Sequence, residues 1–116
     1  MLARIFRFHG HQAVRRSYRQ GSSVRGSLGS LHVHVDKNRP KFRVAVVVSK
    51  KVHKSAVVRN RIRRRVYELV RTHQPHINKP AELIFTIYQV EAATIPSEQL
   101  AGEVHDLLSK AKLLDK

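Results

Sequence analysis

Residues 49–71, SKKVHKSAVVRNRIRRRVYELVR, constrain this chain more than any other stretch of its sequence. Projected at about 100° per residue, Val58, Ile62, Val66, Leu69 and Val70 fall within roughly one third of a helix circumference. Asn60, Arg61, Arg64, Tyr67 and Glu68 fall on the far side, Arg59 and Arg63 toward one edge, and Arg65 beside the apolar stripe at the other. Such a helix has to lay its apolar stripe on a core while a fan of guanidinium groups stays outside. A solvated face normally mixes signs, but residues 59–71 hold six arginines and one glutamate. Like charges at i,i+4 oppose one another, so the arrangement calls for a polyanionic partner. Arginine suits nucleic acid because its planar fork grips phosphate oxygens in pairs and stacks on bases, and it stays charged near neutrality. Asn60 adds a neutral donor and acceptor able to meet a base edge or a ribose hydroxyl.

The whole chain agrees with its helix. Twenty-three Lys and Arg against eight Asp and Glu give a net charge of +15 over 116 residues. That charge expects a polyanion, and the length expects one domain over residues 1–116. An acidic membrane surface would need a polybasic stretch beside a strong apolar anchor, and no apolar run approaches the roughly 18–20 residues of a membrane span. The opening residues MLARIFRFHGHQAVRR alternate charge with apolar side chains and lack a continuous apolar h-region, so they do not read as a secretory signal. With no cysteine there is no disulfide framework, thiolate metal site or cysteine nucleophile, which fits a cytoplasmic protein.

Periodicity places the other elements. A short helix is expected over residues 11–20, with Val14 and Tyr18 four apart and Gly21 as its stop signal. Residues 24–29, punctuated by Gly and Ser, hold a short strand or a bend. Leu31, Val33 and Val35 alternate with His32 and His34, predicting a strand with two distinct faces. Strands are also expected over residues 42–49 and 81–90, with the main helix, residues 56–72, between them as a βαβ unit. A final amphipathic helix is expected over residues 97–114, with Leu100, Val104, Leu107, Leu108 and Leu114 on its inner stripe. The pattern predicts an α+β fold, a small sheet backed by helices.

These residues resemble the bacterial ribonuclease P protein family. Its Arg-Asn-Arg signature is matched by Arg59, Asn60 and Arg61, followed by Arg63 and Arg64 and preceded by Lys50 and Lys51. Upstream, Arg7 and Phe8 match the family's start, and Val14 and Tyr18 fall where it usually has two aromatics. The resemblance spans roughly residues 4–112. It implies a four-stranded or similar sheet with about three helices, of the ribosomal protein S5 domain 2-like kind, containing a left-handed βαβ crossover. It also implies that Arg59, Asn60, Arg61, Arg63, Arg64, Lys50, Lys51 and Arg7 contact a catalytic RNA subunit. Val14, Arg15, Tyr18 and His32 then line a cleft for the 5′ leader of precursor tRNA, with Val14 and His32 standing where aromatics are common. Leader removal is implied to be carried by the RNA through Mg²⁺ that the RNA holds, with the protein alone a monomer.

Three other chemistries fit the sequence less well. The eight histidines form close pairs (His9 and His11, His32 and His34, His73 and His76), but a structural or catalytic site wants three or four convergent ligands, and none is expected. Independent hydrolysis would need paired carboxylates or a His/Lys acid–base set, and Glu98, Glu103 and Asp106 are spaced as a solvent face, so no catalytic residue is expected. A helix-turn-helix DNA reader is disfavoured because strands separate the two candidate helices. The remaining alternative is a ribosomal or other structural RNA-binding protein without an enzymatic partner.

Overall fold

A computed structural model of the chain describes residues 21–37 and 41–114. The strands are β1 (Ser22–Arg25), β2 (Gly29–Val35), β3 (Arg43–Val48) and β4 (Ala81–Ile87); the helices are α1 (Ala56–His73) and α2 (Ser97–Lys110). The four strands make one sheet in the order β1-β2-β4-β3. β1 and β2 pair antiparallel, as do β2 and β4, while β3 and β4 run parallel and are joined through α1. The expected βαβ unit is therefore present, and the fold is a small α+β sheet with two α-helices among the described residues. The helix expected over residues 11–20 lies outside them.

Alternation along the strands sorts the two faces. Leu31 of β2, Val44, Val46 and Val48 of β3, and Ala81, Leu83, Phe85 and Ile87 of β4 join one buried cluster with Ile62, Val66 and Val70 of α1. The inner stripe of α2, Leu100, Val104, Leu107 and Leu108, closes the same cluster. Each fully buried Leu, Ile or Phe contributes about 1.5–3 kcal/mol. The opposite face carries a second, smaller cluster of Ala45 and Ile84 with Val47 against it. Gly21 opens β1 at φ 83°, and a Cβ there would lie 1.9 Å from the Val33 carbonyl oxygen. Only glycine fits that junction.

Two boundaries differ from expectation. β4 ends at Ile87, because Tyr88 and Gln89 turn their N–H groups onto the Leu28 carbonyl, and a 3-10 turn follows at Val90–Ala93. α2 ends at Lys110 rather than running through Leu114. Lys112 adopts φ 60°, its N–H donates to the Ser109 carbonyl, and the Leu113 N–H donates to the Leu108 carbonyl. This is the Schellman arrangement, with Leu113 and Leu108 supplying its buried apolar contact. Leu114, expected on the helix stripe, instead bridges to Ile77.

Candidate nucleic-acid interface

The start of α1 leaves its first amides without a side-chain acceptor. Its N-cap, Ser55, has extended backbone and makes no side-chain cap, and its first turn carries no acid. The first amides of a helix lack intrahelical acceptors and sit at the positive end of its dipole. A turn closed by Val52 N–H to the Ser49 carbonyl (3.0 Å) holds Lys50 and Lys51, both exposed, just upstream of this terminus. Arg59 stiffens the approach by donating through Nη1 to the carbonyls of His53 (2.9 Å) and Lys54 (2.7 Å).

The arginines of α1 divide by partner. Arg61 and Arg64 are exposed, one helical turn apart on the face away from the core. Arg63 donates to the side-chain oxygen of Asn60, so these two present a joined polar group. Arg71 pairs with Glu68 at 3.0 Å, an exposed contact that solvent screens, and the neighbouring guanidinium helps hold the Glu68 carboxyl below its ordinary pKa. Arg65 turns the other way: its Nη1 donates to the Ala92 carbonyl at 2.7 Å and its Nη2 to the Ile95 carbonyl. It ties α1 to the turn before α2.

Tyr67 corrects the wheel projection. Placed on the far side with the arginines, it packs instead against the main core, and its hydroxyl accepts the N–H of Val46 at 3.2 Å. β3 is an edge strand, so this contact occupies a backbone donor on an edge that would otherwise invite another strand.

The sheet face opposite the helices carries the second group of candidates. His32 is buried, at 5% exposure, between Ser23 and Ile84 in the strand register, with its Nδ1 2.8 Å from Ser23 Oγ. One row away, Glu82 is buried and accepts from Arg43 Nε at 2.9 Å, and His34 Nδ1 lies 3.2 Å from its other oxygen. Arg7, Val14, Arg15 and Tyr18, the remaining candidates, lie outside the described residues. Sequence reasoning passed over one further group, where β1 turns into β2. Arg25 sits over the exposed Tyr88 ring, 5.9 Å from its centroid, and the Tyr88 hydroxyl donates to the Gly26 carbonyl at 2.9 Å. An exposed ring with a guanidinium on it can stack an unpaired base. Only the residue types signalled it, since Arg25 and Tyr88 are distant in sequence.

A resident Mg²⁺ does not fit these side chains. That ion wants near-octahedral oxygen ligands at about 2.0–2.1 Å. Among the described residues no three His, Cys, Asp or Glu converge on one point, and the buried carboxylate of Glu82 is engaged by Arg43 and His34. No described helix is long and apolar enough to cross a membrane.

Comparison with known proteins adds a consistent set of likenesses. A family model described as Ribonuclease P matches residues 2–112. The ribonuclease P protein component of a Pseudanabaena species is 31% identical over 115 residues, covering 98% of this chain and 97% of that protein. Its counterpart from Staphylococcus aureus is 28% identical over 116 residues, covering 100% and 97%. The solved Staphylococcus aureus RNase P protein matches at a TM-score of 0.83 and 26% identity, over 95% of this chain and 98% of that one. The Thermotoga maritima protein matches at 0.79 with 17% identity, over 90% and 96%, a likeness of fold.

Proposed function

The chain belongs to the ribonuclease P protein family, and from that premise we propose that α1 and the turn before it are its docking surface for the enzyme's RNA subunit. Ribonuclease P processes the 5′ end of tRNA, and this chain is its protein component, with an RNA subunit as partner. The observation that carries the docking reading is the division of arginines on α1. Arg61 and Arg64 have no structural task among the described contacts and are exposed, on the helix whose start has no side-chain cap and follows the exposed Lys50 and Lys51. Asn60 and Arg63 add a paired polar group on the same helix. Arg59 shapes the loop that presents the lysines, so its contribution to binding is through that loop as well as its charge.

Precursor tRNA is the second ligand, its leader running over the sheet face that holds His32, and the family resemblance assigns Val14, Arg15 and Tyr18 to the same ligand. Burial of His32 limits it to edge contact with a base, and Tyr18 is the residue to stack. Hydrolysis belongs to the RNA, which holds the Mg²⁺; the protein screens phosphate repulsion and positions the leader. The free protein is a monomer working in the cytoplasm, and Arg7 extends the contact with the RNA subunit.

The test is cleavage of leader-bearing precursor tRNA by a bacterial ribonuclease P RNA at low Mg²⁺, with and without this chain. The expected result is strong stimulation by the protein, with precursor bound in preference to mature tRNA. Failure to stimulate a cognate RNA refutes the assignment of substrate and mechanism. Replacing Tyr18 by alanine is expected to reduce the preference for precursor while leaving binding of mature tRNA unchanged.

A further inference from the structure

We propose that His73 and His105 form a two-imidazole site for a dication of the zinc or copper class, joining the last turn of α1 to α2. The two residues are 32 positions apart in sequence, and packing of the helices brings His73 Nε2 to 3.3 Å from His105 Nδ1. The ring centroids lie 5.4 Å apart with planes inclined at 42°, so the rings meet nitrogen to nitrogen and do not stack. Metal–nitrogen bonds of about 2.0–2.1 Å at a tetrahedral angle place two ligand nitrogens about 3.3–3.4 Å apart.

That spacing also suits a single N–H···N hydrogen bond, so the distance does not decide the matter alone. The His73 ring supplies the second observation. Its Nδ1 lies 2.9 Å from the Leu69 carbonyl oxygen. A carbonyl only accepts, so Nδ1 carries the proton, and a neutral ring then turns the lone pair of Nε2 toward His105. An imidazole whose far nitrogen is anchored by a backbone carbonyl is the usual state of a metal-ligating histidine.

Two features offset the net charge of +15 near the pair, against the positive charge of Arg71 in the same last turn of α1. His73 is the last residue of α1, where the helix dipole places about half a negative charge. α2 holds Glu98, Glu103 and Asp106 against Lys110 alone, so it is the acidic element of a basic chain. Imidazole nitrogen selects zinc- and copper-like ions over Mg²⁺ and Ca²⁺, which want oxygen. His105 is exposed, which leaves the other coordination positions to water. A bound ion would cross-link the end of the arginine-bearing helix to α2, which the sequence pairing of His73 with His76 did not suggest.

The test is thermal unfolding of the untagged chain with Zn²⁺, with Mg²⁺ and without metal, for the wild type and His105→Ala. Zinc at about 100 times its dissociation constant is expected to raise the wild-type Tm by roughly 10 °C, and Mg²⁺ to leave it unchanged. The metal-free variant should melt with the wild type, because the ring it loses is exposed, and should show no zinc shift. An equal zinc shift in both proteins, or none in either, overturns the site. Imidazole NMR gives an independent reading: zinc is expected to move the His73 and His105 signals together before those of the other histidines. Movement of other histidines first, or of neither ring, also overturns it.

Discussion

Replacing Arg65 by methionine separates the arginines that hold the fold from those that hold RNA. Arg65 donates to two carbonyls, Ala92 and Ile95, which lie 27 and 30 residues further along the chain. Hydrogen bonds from a charged donor contribute about 1.5–3 kcal/mol each, but this pair is only partly buried and water replaces some of what is lost. A net cost of about 1.5–3 kcal/mol follows, and methionine keeps most of the stem's packing. At about 4 °C per kcal/mol for a domain of this size, the Tm should fall by roughly 6–12 °C. Measured below that temperature, the dependence of RNA affinity on salt should match the wild type. The reasoning is refuted if Arg65→Met melts with the wild type but shows a reduced salt slope, for Arg65 would then be a phosphate contact.

Two further substitutions test the local structure. Tyr67→Phe keeps the ring in the core and strands the Val46 N–H on the sheet edge; chemical denaturation should show a loss of about 1–3 kcal/mol, and unchanged stability would remove the hydroxyl from the edge. Lys112→Gly relieves a left-handed residue at the end of α2, and should raise stability by about 0.5–1 kcal/mol after the added freedom of the unfolded chain is counted. A lower Tm in that variant would argue against the Schellman ending.

Much of the architecture was legible in apolar spacing. Ile62, Val66 and Val70 mark the buried side of α1, and Leu100, Val104, Leu107 and Leu108 that of α2, because the spacing records which side meets the core. What escaped depended on partners far away in sequence. A wheel reports where a Cα points, and Tyr67 is long enough to reach round to the β3 edge from a poor position. Projection puts Arg65 beside the apolar stripe, yet nothing local shows that carbonyls at Ala92 and Ile95 await it. The end of α2 was hidden because Lys112 fills a place usually given to glycine. Alternation of His32 with Leu31 and Val33 separated two faces correctly, yet could not tell that the histidine face is also buried. Charge, by contrast, is read directly, so Arg61 and Arg64 stood out at once, whereas His73 and His105 become neighbours only when α1 packs on α2.

The account rests most heavily on the outward arginines of α1, and the salt dependence of affinity for the RNA subunit tests them most directly. Each phosphate contact removed lowers the slope of log K against log salt by about 0.7–0.9. Arg61→Ala with Arg64→Ala should lower it by about 1.4–1.8 while leaving the Tm within about 2 °C of the wild type. A double variant that keeps both the slope and the affinity of the wild type would contradict α1 as the RNA-docking surface.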